Sequence, residues 1–199
     1  MGGRLAQGNA AVALLANAIA TGTGLYVLIV IFGPLSGAHF NPVVSALGVW
    51  EGKLTARELG FYVLAQLCGA FAGVAAAHAM FGLPIVQISE RLRATPGEGL
   101  GEVIATFGLV LVISLASRLR AEAVPITVAA FITSAYWFTS STSFANPAVT
   151  FARAMTDTFA GISPRSVPLF LCGQVIGGAI ATLLARWLLS GCPIPDDSK

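Results

Sequence analysis

Four long stretches of this chain carry no charged side chain. Leu5 to Trp50 runs 46 residues without Asp, Glu, Lys or Arg, Leu59 to Ser89 runs 31, Ala123 to Ala152 runs 30 and Ser166 to Ala185 runs 20. A helix that crosses the hydrocarbon core of a bilayer needs about 20 apolar residues. The pattern therefore predicts spans over roughly 10–33, 59–81, 99–117, 124–141 and 168–189. Two of the runs are too long for one span, and both are broken in the same way, by Asn41-Pro42-Val43 and by Asn146-Pro147-Ala148. Proline cannot continue a helix that precedes it, and an asparagine amide finds no partner in lipid. Proline is, however, pre-set for the first position of a new helix, and asparagine is a good cap just before it. The two sites thus predict short helices over 41–50 and 146–156, each too short to cross. The chain must turn before each of them, at Gly33-Pro34-Leu35-Ser36-Gly37 and within Thr139-Ser140-Ser141-Thr142-Ser143. Non-helical backbone at membrane depth is tolerated only where protein buries it or water lines it. Two re-entrant pieces in matching positions of the two halves therefore predict an enclosed polar path.

Composition agrees with that pattern and removes the alternatives. Of 199 residues 56% are hydrophobic and 10% charged, and mean hydropathy is +0.82, against roughly 25% charged residues in a soluble domain. The expectation is an all-α integral membrane protein whose partners are the lipid bilayer and a small solute. A net charge of +2 argues against a nucleic-acid partner. Cys68, Cys172 and Cys192 lack metal-binding spacing, and Cys68 and Cys172, within spans, read as small packing residues. No metal, cofactor or nucleophile–base constellation is expected, so neither is an enzyme. Met1-Gly2-Gly3-Arg4 leads straight into the first apolar run and does not read as a cleavable signal peptide.

The two halves also repeat. Gly69 and Gly73 are four apart, as are Gly173 and Gly177, and each pair follows an Asn-Pro site with a glutamine nearby, Gln66 and Gln174. Small residues at that spacing let helix backbones approach closely in lipid. The segments Ser36-Gly37-Ala38-His39-Phe40-Asn41-Pro42-Val43-Val44 and Phe144-Ala145-Asn146-Pro147-Ala148-Val149 resemble the paired signature of the aquaporin and glycerol-channel family, the major intrinsic proteins. The resemblance extends over nearly the whole chain, including the span Gly101-Glu102-Val103-Ile104-Ala105-Thr106-Phe107-Gly108. It implies an inverted-repeat helical bundle with two re-entrant half-helices, forming one channel domain over 1–199. The first repeat would be about 1–90 and the second about 98–190. The half-helices would meet N-terminus to N-terminus, each carrying about half a positive charge there. The amides of Asn41 and Asn146 would point into the pore, repelling cations and breaking a proton wire.

By the same resemblance, selectivity lies outward of the Asn-Pro sites, at four residues that usually include an aromatic or histidine and an arginine directly after the second motif. Val149 stands at the arginine position, and counting back by the family's spacing places Thr21, Ser134 and Ser143 beside it. Four small side chains leave a wider opening than a ring holding arginine, which also takes with it a positive barrier and five donors. The pattern looks like that of bacterial channels associated with arsenic resistance. The implied solute is neutral and wider than water: arsenite, a related metalloid or a polyol such as glycerol. An ordinary water channel and a non-conducting membrane scaffold stay open as alternatives, and a coupled transporter fits least.

Other polar residues carry weaker expectations. The resemblance makes Glu102 the brace of a re-entrant loop, while His39 either lines a pore mouth or satisfies loop backbone. His78 reads as interfacial or packing, and Arg153 with Asp157 as an exposed i,i+4 pair. Gly97-Glu98-Gly99-Leu100-Gly101 lacks the lysine and the strand of a phosphate loop and reads as a flexible link. Family topology puts Lys53, Arg57, Arg118, Arg120, Arg186 and Lys199 on the cytoplasmic side and Arg4, Arg91, Arg93, Arg153 and Arg165 on the other, a weak bias. It also implies a multi-pass inner-membrane protein and a homotetramer with one pore per subunit. The family has six spans, and the first, with its own glutamate matching Glu102, has no counterpart in the sequence. The first re-entrant loop is therefore expected to lack its usual brace, whether through a late start codon, a truncation, or a short form that recruits a neighbour.

Overall fold

A computed structural model describes residues 1–191; Cys192 and Lys199 lie outside the described residues. A short helix, α1 (Gly2–Leu5), precedes α2 (Ala10–Ser36), α3 (Pro42–Trp50), α4 (Ala56–Met80), α5 (Pro96–Leu119), α6 (Val124–Phe138), α7 (Pro147–Arg153) and α8 (Val167–Leu189). Among the described residues there is no strand. Among the described residues five segments are long and apolar enough to cross a membrane: α2, α4, α5, α6 with the turn before it, and α8 with the turn before it. The short helices α3 and α7 begin at the prolines of the two Asn-Pro sites, with Asn41 and Asn146 as their N-caps.

Several boundaries differ from the expected ones, each for a local reason. The helix α2 runs through Gly33 and Pro34 and ends only at Gly37, which adopts a left-handed φ of 73°. Pro34 sits in the last turn, where it removes one helical hydrogen bond without ending the helix, and the left-handed glycine makes the stop. The stretch Gly97 to Gly101 is no flexible link but the first turn and a half of α5. Thr95 and Glu98 form a reciprocal capping box, and Pro96 occupies the first helical position. Its glycines serve contact instead. A Cβ at Gly99 would sit 2.9 Å from Leu169, and one at Gly101 would sit 3.0 Å from Ser140 and Ser141. The second short helix ends at Arg153 rather than three residues later.

The tightest pairing is α5 against α8. A Cβ at Gly173 would lie 2.7 Å from the Gly99 carbonyl, and one at Gly177 would collide with the Val103 carbonyl. Close backbone approach of this kind takes the place of the hydrophobic drive that lipid removes. Replacing Gly177 with leucine should therefore force α5 and α8 apart. Overpacking a tight core costs roughly 1–3 kcal/mol or more, and the expected outcome is loss of the monodisperse species in detergent size-exclusion chromatography. Gly69→Leu is the matched control. Gly69 and Gly73 have nothing within 4 Å of where a Cβ would stand, so only one of the two repeated glycine pairs is packed within the described chain. Cys68 and Cys172 are likewise exposed on their helices rather than packed inside.

Candidate functional site

The residues before each Asn-Pro site are forced into a conformation that L-amino acids avoid. Ala38 and Phe40 have φ of 47° and 48°, and Thr142, Ser143 and Ala145 have φ of 60°, 50° and 47°. Each such residue costs on the order of 1–3 kcal/mol unless its surroundings hold it. The two loops hold each other. The Asn41 side-chain amide donates to the Ala145 carbonyl at 2.7 Å, and the Asn146 amide donates to the Phe40 carbonyl at 2.8 Å. The side-chain oxygens face the other way: Asn41 accepts from the Val43 amide, and Asn146 accepts from the amides of Ala148 and Val149. An asparagine NH2 has two hydrogens, so each amide keeps one donor after crossing to the opposite loop.

The second loop has a further support. Glu102, completely buried, accepts from the Phe144 and Ala145 amides at 2.8 Å each and from the Gln174 side chain at 2.6 Å. Gln174 also donates to Thr150 at 2.8 Å. The first loop repeats only the outer half of this arrangement. Gln66 donates to Ser45 at 2.9 Å, and its side-chain oxygen, like that of Gln174, is buried without a partner among the described residues. Among the described residues the His39 and Phe40 amides meet no acceptor.

A cavity of about 540 Å³ passes both asparagines. It reaches from Glu51 and Lys53, just beyond α3, to Arg153 at the end of α7. Since α3 and α7 start from loops that are bonded to each other, the cavity connects their far ends. One wall is apolar, built by Leu25 and Ile29 of α2, Leu109 and Ile113 of α5, and Val128 and Ile132 of α6. The other comes from the two strained loops. The result is a path with hydrogen-bonding groups on one side and hydrocarbon on the other.

Thr21, Ser143 and Val149 line this cavity on the α7 side of Asn146. The Ser143 hydroxyl is buried and has no partner among the described residues. Ser134 does not join them. It is exposed on the opposite face of α6 and donates its hydroxyl to the Phe131 carbonyl. The α6 residues that reach the cavity are Val124, Val128, Ile132 and Tyr136, a four-residue row. Ser134 lies half a helical turn off that row, so counting from the motif without the helix register misplaced it. His39 lines the cavity, as do Glu51 and Lys53, lies 5.1 Å from the Tyr62 ring and bonds Ser45, and among the described residues its ring makes no bond to loop backbone. His78 is buried and fixes a loop, bonding the Ile85 carbonyl and Thr156.

Three further residues stand at or beside the site, none of them placed there by the sequence reading. Tyr136 shares a hydrogen bond with Thr21 at 3.2 Å. Arg153 donates to the Tyr136 hydroxyl at 3.0 Å, with its guanidinium 4.3 Å from the Phe144 ring centre. The expected Arg153–Asp157 pair is not made; Asp157 accepts instead from the Glu90 amide. On the other loop Arg93 is buried and donates to the Gly161 carbonyl at 3.0 Å, with longer contacts to Ser141 and Phe159. Burial first, then Arg91 and Arg153, pull Arg93 down to about 10, which leaves it cationic at neutral pH. Its donors are spent on carbonyls, so it fastens the 81–95 connection onto the second loop.

The sequence profile described as major intrinsic protein matches residues 3–140. Aquaglyceroporin AqpS of Rhizobium meliloti (strain 1021) is 52% identical over 179 residues, covering 90% of this chain and 77% of that protein. Aquaporin AqpM of Methanothermobacter marburgensis is 30% identical over 193 residues, covering 88% and 77%. Probable aquaporin AqpM of Archaeoglobus fulgidus is 34% identical over 191 residues, covering 87% and 74%.

Proposed function

The chain belongs to the major intrinsic protein family, and from that premise we propose that it passes neutral solutes wider than water, with arsenite, a related neutral metalloid species or a polyol as cargo. Members of the family are channels for small neutral solutes, not enzymes. The five spans and the bacterial relative make this chain a multi-pass protein of the inner membrane. The observation that carries the choice of solute is the side-chain set beyond Asn146. Val149 stands where an arginine would narrow the path, with Thr21 and Ser143 also lining the cavity. A compact trihydroxide or triol can exchange its water shell for the two free asparagine donors while its other face rests on the apolar wall. The fit of AqpS, named an aquaglyceroporin, points the same way.

The single channel domain, with repeats over about 1–90 and 98–190, and the homotetramer belong to this proposal. So does the orientation that puts Lys53 and Arg57 on the cytoplasmic side. One observation favours a second reading, a membrane assembly partner that does not conduct alone. The Gly69–Gly73 face of α4 is open, and two amides of the first loop meet no acceptor among the described residues. Uptake into proteoliposomes separates the two. The channel reading expects arsenite entry above that of empty liposomes, linear in concentration and indifferent to a proton gradient. Equal entry with and without protein would sink it.

A further inference from the structure

Arg153 presents a guanidinium that no carboxylate matches. Among the described residues the one ion pair is Lys53–Glu51, far along the chain. Arg153 is half-buried, lines the cavity and uses a single donor, on Tyr136. An unpaired charge at a membrane path is costly, and such residues mark substrate or ion pathways. Its neighbour Arg93 shows the contrast. Both guanidinia lie over Phe144, at 5.3 Å for Arg93 and 4.3 Å for Arg153, yet Arg93 is engaged by backbone carbonyls and Arg153 is not. What Arg153 has instead is orientation. Phe144 supports its plane, and Tyr136 is itself tied to Thr21, the residue across the cavity. Residues four apart on a helix share a face, so Arg153 stands one turn beyond Val149 and above the same opening.

We propose that Arg153, held by Tyr136 and Phe144, is the charged selectivity residue of this pore, set one helical turn outside the position of Val149. Its open donors receive the oxygens of a hydroxylated neutral solute before that solute reaches Ser143 and Val149, and its charge turns back cations of similar size. The opening at Val149 can then be wide without becoming a cation leak. The assignment rests on the channel reading above.

The test compares glycerol with methylammonium, a neutral probe and a smaller cationic one whose exclusion cannot be by size, in proteoliposomes. Wild-type protein is expected to pass glycerol and exclude methylammonium. Arg153→Gln should raise the ratio of methylammonium to glycerol entry about tenfold or more, since local potentials at a lined cleft amount to several kT. Arg153→Lys should keep most of the exclusion. Glycerol-conducting Arg153→Gln vesicles that exclude methylammonium as well as wild type would overturn the assignment and leave the channel reading intact. Wild-type vesicles that pass no glycerol would sink the channel reading and this one with it. If Arg153→Gln fails to reconstitute, Tyr136→Phe decides, because it keeps the charge and releases its orientation. A two- to threefold rise in the methylammonium-to-glycerol ratio is expected, and an unchanged ratio would overturn the assignment. A residue that only stabilises the C-terminal end of α7 would lower both fluxes together and leave their ratio alone.

Discussion

Glu102→Gln is expected to abolish most transport and to lower thermal stability in detergent. The carboxylate offers acceptors on both oxygens, and three N–H groups use them: two loop amides and Gln174. A glutamine keeps one acceptor and puts an NH2 where the other stood, so one amide of Phe144 or Ala145 faces a donor. A buried donor left unsatisfied costs about 1–3 kcal/mol. The loss falls on a loop whose left-handed residues each store strain of similar size, and the Ala145 carbonyl of that loop holds the amide of Asn41. The damage should therefore spread to both motifs. We expect the melting temperature to fall and solute flux to drop at least about tenfold, the kinetic equivalent of roughly 1.4 kcal/mol. Glu102→Leu should do worse, because both loop amides then lose their acceptor. Unchanged melting and flux in Glu102→Gln would show that the loop does not depend on this brace.

Val149→Arg should change which solutes pass without unfolding anything. Val149 lies on the cavity side of α7 and is only partly buried, so a longer side chain extends into the path rather than into packed protein. The new guanidinium would face Arg153 one turn away, and the two like charges cannot both settle against Phe144 and Tyr136. Glycerol and arsenite flux are expected to fall by about tenfold or more while water permeability stays within about threefold, because exclusion here is by diameter. Stopped-flow light scattering on one vesicle preparation gives both numbers. Arsenite flux unaffected by the substitution would place the narrow point elsewhere.

The parts of this protein that are physically exceptional could be read from its sequence. An Asn-Pro pair deep in an apolar run has few explanations, and both copies became capped half-helices bonded across the path. Four of the five membrane spans followed from charge-free length, and the fifth, α5, carries Glu102 within an otherwise apolar stretch. What escaped was whatever depends on rotation about a helix axis. Ser134 was placed by counting, but an error of two residues turns a side chain by about 200°; the row Val124, Val128, Ile132 and Tyr136 was there to be seen and fixes the face. Arg153 and Asp157 have the spacing of a surface pair, and spacing cannot show that an aromatic ring and a tyrosine hydroxyl on other elements draw the arginine inward. Arg93 was hidden for a similar reason, since its partners are carbonyls from residues 141 to 161 that only folding brings near. The glycines of Gly97 to Gly101 looked like slack because closeness to Leu169 and Ser140 leaves no local trace. The two glycine pairs looked alike in sequence, yet only Gly173 and Gly177 have a helix against them among the described residues.

The central claim is that the path past Asn41 and Asn146 admits neutral solutes wider than water. Osmotic shock of reconstituted vesicles with an inward glycerol gradient tests it most directly, because one trace reports both events. Water leaving shrinks the vesicle, and solute entering swells it again. The account predicts protein-dependent reswelling, faster than in empty vesicles and lost in Val149→Arg. Protein-dependent shrinkage with no reswelling beyond that of empty vesicles would contradict it and leave a channel for water alone.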